Sequence, residues 1–186
     1  YWWTLTPYDA NSLWRMRDDG LKQQSSLDYS RNGVRPSINL KTNVKIVDGD
    51  GTIDNPYRLE GDNDTNLEGT LLNTRYSGEY ISFGTGENNL YIIVSHETDK
   101  LTKITSAVPL KENENYKKLA FGNNSTFSTT STMGLFLNGE YLTSSNYITN
   151  EQASMIEENS TWYLGTVADK QSYKLAKYTD ENMAGY

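Results

Sequence analysis

The chain contains no cysteine, and this absence alone removes several chemistries. A disulfide framework, a thiol nucleophile and a thiolate metal site are all excluded. Histidine is almost as scarce. With His96 the only one, a zinc site built on several histidines is impossible, and any Ser-His-Asp triad would hang on that residue. No stretch approaches the roughly 18 consecutive apolar residues of a membrane span, and none reads as a signal peptide. The first residue is Tyr1 rather than Met, which suggests a processed or truncated product.

Aliphatic residues and positive charge are also in short supply. Only 35% of the chain is hydrophobic and its mean hydropathy is -0.72, values that point toward disorder. Against this, aromatic residues make up 12%, with Tyr 14, Trp 4 and Phe 4, and disordered chains usually lack such rings. A folded domain with a modest aliphatic core supplemented by tyrosine is expected. Its 186 residues suit about one domain. The 17 basic residues are outnumbered by 24 acidic ones, leaving a net charge of -7. Such a chain is repelled by phosphate backbones and anionic membranes, so neither nucleic acid nor the bilayer is an expected partner.

Short runs of β-formers broken by turn residues fill the first part of the chain. Residues 1–6 are β-formers and stop at Pro7; Leu13 to Arg17 alternate and end at the hairpin signal Asp18-Asp19-Gly20. Residues 33–40 and 43–47 read as further strands. Residues 48–70 are acidic and rich in Gly, Asn and Thr, and mark the place where two lobes or two repeats would join. The organisation read from this is a β-rich segment over 1–60, an acidic linker over 61–75, and an α+β segment over 76–186. Strands over 79–83, 90–94 and 101–108 form an antiparallel meander. Two short helices follow. One is capped at Ser131 or Thr132, with Met133, Phe136 and Leu137 on one face, and closes at Gly139. The other opens with the capping-box pattern Thr149-Asn150-Glu151-Gln152 and runs to about Glu158. Residues 161–164 and 173–178 read as strands. The class is α+β, dominated by antiparallel sheet.

Several phrases in combination resemble an uncharacterised group of Gram-positive surface and pilin-like proteins. They are YWWTLTP (1–7), GVRPSINL (33–40), GDGTIDNPY (49–57), GEYISFGTGENNLYIIVS (78–95), GLFLNGEYL (134–142) and residues 155–178. The resemblance implies a C-type-lectin-like fold, an extracellular or cell-surface location and a non-enzymatic role. In that group the half carrying Ile81-Ser82-Phe83-Gly84 precedes the half carrying Tyr1-Trp2-Trp3; here it follows. Either the chain is cut from a tandem array, or one copy completes its neighbour in a domain-swapped polymer. The expected function is therefore a structural or adhesive subunit of a surface fibre or pilus. It would assemble with other copies of itself by strand exchange or edge pairing. The alternative is a monomeric module that binds a glycan or a host protein, with calcium assisting.

The candidate sites follow from residue type. Asp48, Asp50, Thr52 and Asp54 space oxygen ligands at alternate positions, as calcium loops do. Ile53 stands where such loops need glycine, and Leu59 where they need glutamate, so a plain turn is the competing reading. Asp62, Asp64, Asn66 and Glu68 repeat the alternation, where a flexible acidic linker competes. Trp2, Trp3, Tyr8, Trp14 and Tyr29 form either a carbohydrate-stacking platform or core, because alternation must send some rings inward. Contacts to a ligand are expected within residues 8–32. Arg35 lies in an apolar strand, where an unpaired guanidinium is costly. Pairing with a carboxylate or strand-end carbonyls competes there with ligand binding. His96 reads as a surface turn residue. Asn63, Asn124 and Asn159 begin Asn-x-Thr sequons.

Overall fold

The computed structural model describes residues 1–60, 69–158, 160 and 162, together with the backbone of 163–167 and 173–178. Three strands open the fold: β1 (Trp2–Asp9), β2 (Ser12–Met16) and β3 (Lys22–Ser26), paired in the order β1-β2-β3. The tight β1–β2 turn is pinned by Asp9, whose Oδ1 accepts from the Asn11 amide at 2.9 Å and from Ser12 Oγ at 2.6 Å. At the β2–β3 turn Gly20 adopts φ 81°, a conformation that suits glycine, and Arg17 pairs with Asp19 at 2.7 Å. Strand β1 does not stop at Pro7. It runs two residues further, with a register shift on each side of the proline, the irregularity that lets an edge strand carry a residue without an N–H.

The larger sheet has seven strands in the order β4-β10-β9-β8-β6-β5-β7. These are β4 (Ser37–Leu40), β5 (Lys45–Asp48), β6 (Tyr57–Leu59), β7 (Thr70–Leu71), β8 (Tyr80–Ser82), β9 (Leu90–His96) and β10 (Thr102–Ser106). Pairing is antiparallel except for β6 with β8, where Tyr57 lies beside Ile81. The expected meander is present as β8-β9-β10. Among the described residues two small antiparallel hairpins complete the β structure: β11 (Lys111–Glu112) with β12 (Asn115–Tyr116), and β13 (Trp162–Val167) with β14 (Tyr173–Tyr178).

The expected linker is partly built into this sheet. Residues 48–60 include β6, whose Tyr57 is buried, and residues 69–75 form β7 and a 3-10 turn that buries Leu72. Both are short apolar insertions in polar sequence, anchored by one side chain each. Asp62, Asp64, Asn66, Glu68 and the sequons at Asn63 and Asn159 lie outside the described residues.

Among the described residues, α-helix falls in two places. Ser131 caps α1 (Thr132–Leu135), its Oγ accepting from the Gly134 amide at 3.1 Å. The helix does not close at Gly139. It continues through a π turn (Phe136–Glu140) into α2 (Tyr141–Thr143), where the Asn138 side-chain Nδ2 donates back to the Gly134 carbonyl at 3.0 Å and the Tyr141 ring is drawn into the core. The capping box at Thr149 and Gln152 is formed in full and opens α3 (Asn150–Ser154), shorter than expected; Met155 and Ile156 beyond it are buried.

One core joins these parts. Ile38, Ile81, Ile93 and Ile104 project from the seven-stranded sheet into it, and Leu13 and Trp3 enter from the three-stranded sheet. Each fully buried aliphatic side chain contributes about 1.5–3 kcal/mol relative to exposure. Tyrosine supplements the aliphatic residues, as expected: Tyr57, Tyr91, Tyr141 and Tyr147 are all buried. The hydroxyls of Tyr91 and Tyr141 bond each other at 2.8 Å, which satisfies two polar groups where water does not reach. Residues 1–47 thus pack on later residues of their own chain: β4 pairs with β10, and Trp3 donates its indole N–H to the Leu119 carbonyl at 2.7 Å.

Candidate functional site

The residues singled out in the sequence separate into distinct places. Tyr8 and Trp14 meet edge to face, their centroids 4.8 Å apart, on the three-stranded sheet. Lys22 places its ammonium 4.7 Å from the Trp14 ring, a contact available to it because Gln24 is the direct cross-strand partner of Trp14 and Lys22 lies diagonally across. Tyr8 is 39% exposed. Tyr29 belongs to a second cluster, in which the Arg15 guanidinium lies 4.4 Å from the Tyr1 ring and 5.2 Å from that of Tyr29. Arg15 also donates to the side-chain oxygens of Asn32 and Gln23, and this fixes the guanidinium between the rings. Of the remaining rings, Trp3 is core, edge to face with Phe121 at 5.9 Å. The sequence gives no local signal for the roles of Lys22 and Arg15; a hairpin register would have supplied the first.

The outer edge of this sheet is β3. Lys22, Gln23, Gln24 and Ser26 are exposed, and only Ser25 is buried. Among the described residues β3 pairs with β2 alone. Strand β4, at one end of the larger sheet, is by contrast covered: the Asn39 carbonyl accepts from the Glu157 amide at 2.8 Å, and Leu40 bridges Ile156.

Arg35 stands apart from both ring clusters. Its Nε and Nη2 donate to one carbonyl, that of Ser106, at 2.9 and 2.7 Å, which matches the strand-end pairing open to it from the sequence. Trp2 stacks on the guanidinium at 4.7 Å. Burial lowers its pKa, but a guanidinium remains charged at neutral pH. Beside it is a cavity of about 150 Å³, walled by Trp3, Leu5, Val34, Met133, Leu137 and Trp162, with Arg35, Ser37 and Thr4 supplying the polar side. Among the described residues on that wall, Arg35 is the only titratable side chain.

The acidic loop is closed on itself. The Oδ1 of Asp50 accepts from Thr52 Oγ1 at 2.7 Å and from the Thr52 amide at 3.0 Å, and those bonds hold its carboxyl below the usual range. Asp48 pairs with Arg58 at 3.1 Å and accepts from the Gly49 amide at 2.8 Å. Gly51 adopts φ 80° directly against the Tyr57 ring, where a Cβ would lie 2.6 Å from a ring carbon. Among the described residues no three His, Asp or Glu side chains gather as an ion site, and Asp54 joins none of the bonds that close the loop. His96 is exposed at the end of β9, its Nε2 2.6 Å from the Arg75 carbonyl.

No family model matches the chain, and no match is found among curated proteins or among solved structures.

Proposed function

We propose that this chain is a structural or adhesive module of a Gram-positive cell-surface fibre or pilus, built on a C-type-lectin-like variant of its α+β fold and acting without catalysis. Copies join by edge pairing through β3. The observation that carries this reading is the open edge itself: a five-residue strand with four residues exposed, no proline and a single charge, paired among the described residues on one side only. Such an edge is a template for another strand, and natural proteins usually blunt theirs. Because residues 1–47 are satisfied within their own chain, edge addition is favoured over exchange of the whole N-terminal segment.

Sedimentation equilibrium tests this across micromolar concentrations. Wild type is expected to self-associate, and the double substitution K22E/Q24E is expected to remain monomeric, because it adds negative charge to a face that must meet its copy. A wild type that stays monomeric throughout overturns the reading.

The pair Tyr8–Trp14 favours the second reading, a glycan-binding module, since a partly exposed ring pair flanked by Lys22 and Gln24 offers an apolar plane with polar neighbours. A glycan-array signal lost in a folded Trp14→Ala variant supports it; no signal from wild type removes it.

A further inference from the structure

We infer that the cavity beside Arg35 binds a small aromatic carboxylate, its ring inside the cavity and its carboxylate on the guanidinium. Three observations carry this, none dependent on pairing through β3.

Size comes first. A void of about 150 Å³ with mostly apolar walls holds a single benzene-sized ring. Here the walls are contributed by β1, by the chain just before β4, by α1 and its π turn, and by Trp162, so ring faces and a flexible Met133 surround the space. Charge comes second. Among the described residues no carboxylate lies within ion-pair distance of Arg35, whereas two other half-buried cations have one: Lys103 pairs with Glu97 at 2.7 Å, and Lys117 pairs with Glu112 and Glu140. A half-buried guanidinium without an anion is costly, and a bound anion would relieve that cost.

Geometry comes third. The Ser106 carbonyl takes the edge of the guanidinium formed by Nε and Nη2, and Trp2 covers one face. What remains is the end formed by Nη1 and the second hydrogen of Nη2. Those two donors point the same way and match the two oxygens of a carboxylate. The contacts already present fix the plane of this fork before any ligand arrives, which reduces the entropy lost on binding. The ligand class is therefore an acid carrying one six-membered ring on a short arm. Its neutral amide would fill the same space without the charge.

Phenylacetate and phenylacetamide distinguish the idea on wild-type protein, with titration followed by chemical shifts of the Trp indole N–H signals. The expected result is saturable binding of phenylacetate, tighter than the amide by about tenfold or more, the worth of one charged hydrogen-bonded pair. Arg35→Gln is expected to bring the two ligands to equal affinity, and Leu137→Phe, which fills the cavity, to remove both. Equal affinity of acid and amide for wild type overturns the proposal, as does the absence of saturable binding. Neither result depends on a variant folding.

Discussion

The two sheets of this protein are stabilised in different ways. The seven-stranded sheet hides an aliphatic and tyrosine core; Ile38, Ile81 and Ile104 have no exposed surface at all. The three-stranded sheet sends Leu13 and Trp3 into that core, but much of its own surface is organised by cations on rings: Arg15 with Tyr1 and Tyr29, Lys22 with Trp14, Arg35 with Trp2. Burial of apolar area is worth about 25 cal/mol per Å², whereas an exposed cation–π contact is worth about 0.5–1 kcal/mol. The larger sheet thus carries the stability, and the smaller one presents a surface and an edge. A molecule divided in this way can tolerate change on the smaller sheet.

Substitution tests this division most severely at its centre. Ile104→Ala is expected to cost about 2–5 kcal/mol in urea unfolding, whereas Gln24→Ala on the open edge should stay within about 0.5 kcal/mol. Comparable losses at the two sites would mean that the sheets share the load equally.

The tyrosine pair gives the next largest effect. Tyr91→Phe leaves the Tyr141 hydroxyl buried without its partner and is expected to cost about 1–3 kcal/mol, part of which the double Phe variant restores. Burial raises the pKa of both hydroxyls, so the folded state keeps protons that the unfolded chain releases as pH rises past the ordinary tyrosine value of 10.0. Stability therefore declines above that value. Lys117 adds to the decline: burial alone would lower its pKa, but hydrogen bonds to Glu140, Glu112 and Tyr147 outweigh this and raise it, so its contribution is lost as pH climbs through the folded value. A pH series of thermal unfolding should show this slope flattened in the double Phe variant.

The smallest effect is expected in the acidic loop. Asp48 and Asp50 already have Arg58 and Thr52 as partners, so the melting temperature in millimolar calcium should equal that in chelator. A rise in calcium would show that the loop opens to take an ion.

Much of the larger sheet was legible because its strands obey a simple rule. β9 carries an apolar run and β10 the β-branched residues Thr102, Ile104 and Thr105, both bounded by turn formers, and the meander could be read directly. The capping box at Thr149 was equally clear, since both halves of it are local. Strand β3 escaped because Lys-Gln-Gln-Ser-Ser has no alternation; its partner β2, not its own sequence, makes it a strand. β6 is hard to read from composition for a related reason, being three residues among acidic turns and held in place by Tyr57; only the resemblance points to a strand there. For the candidate site, Arg35 and the pair Tyr8–Trp14 could be named from residue type, but the cavity could not. Trp3, Met133 and Trp162 are far apart in sequence, and only folding places them around one space.

The indole bond from Trp3 to Leu119 spans 116 positions, and Ile38 meets Ile104 only after the intervening chain has been made. Folds dominated by such distant pairings form slowly, because loop closure must precede the contacts that reward it. During synthesis the first strands leave the ribosome well before the partners that cover them. For that interval β4 is as open as β3. A second nascent chain close by would compete for the place that β10 later fills, so the order of synthesis, as well as the finished surface, sets when this sheet is open to exchange.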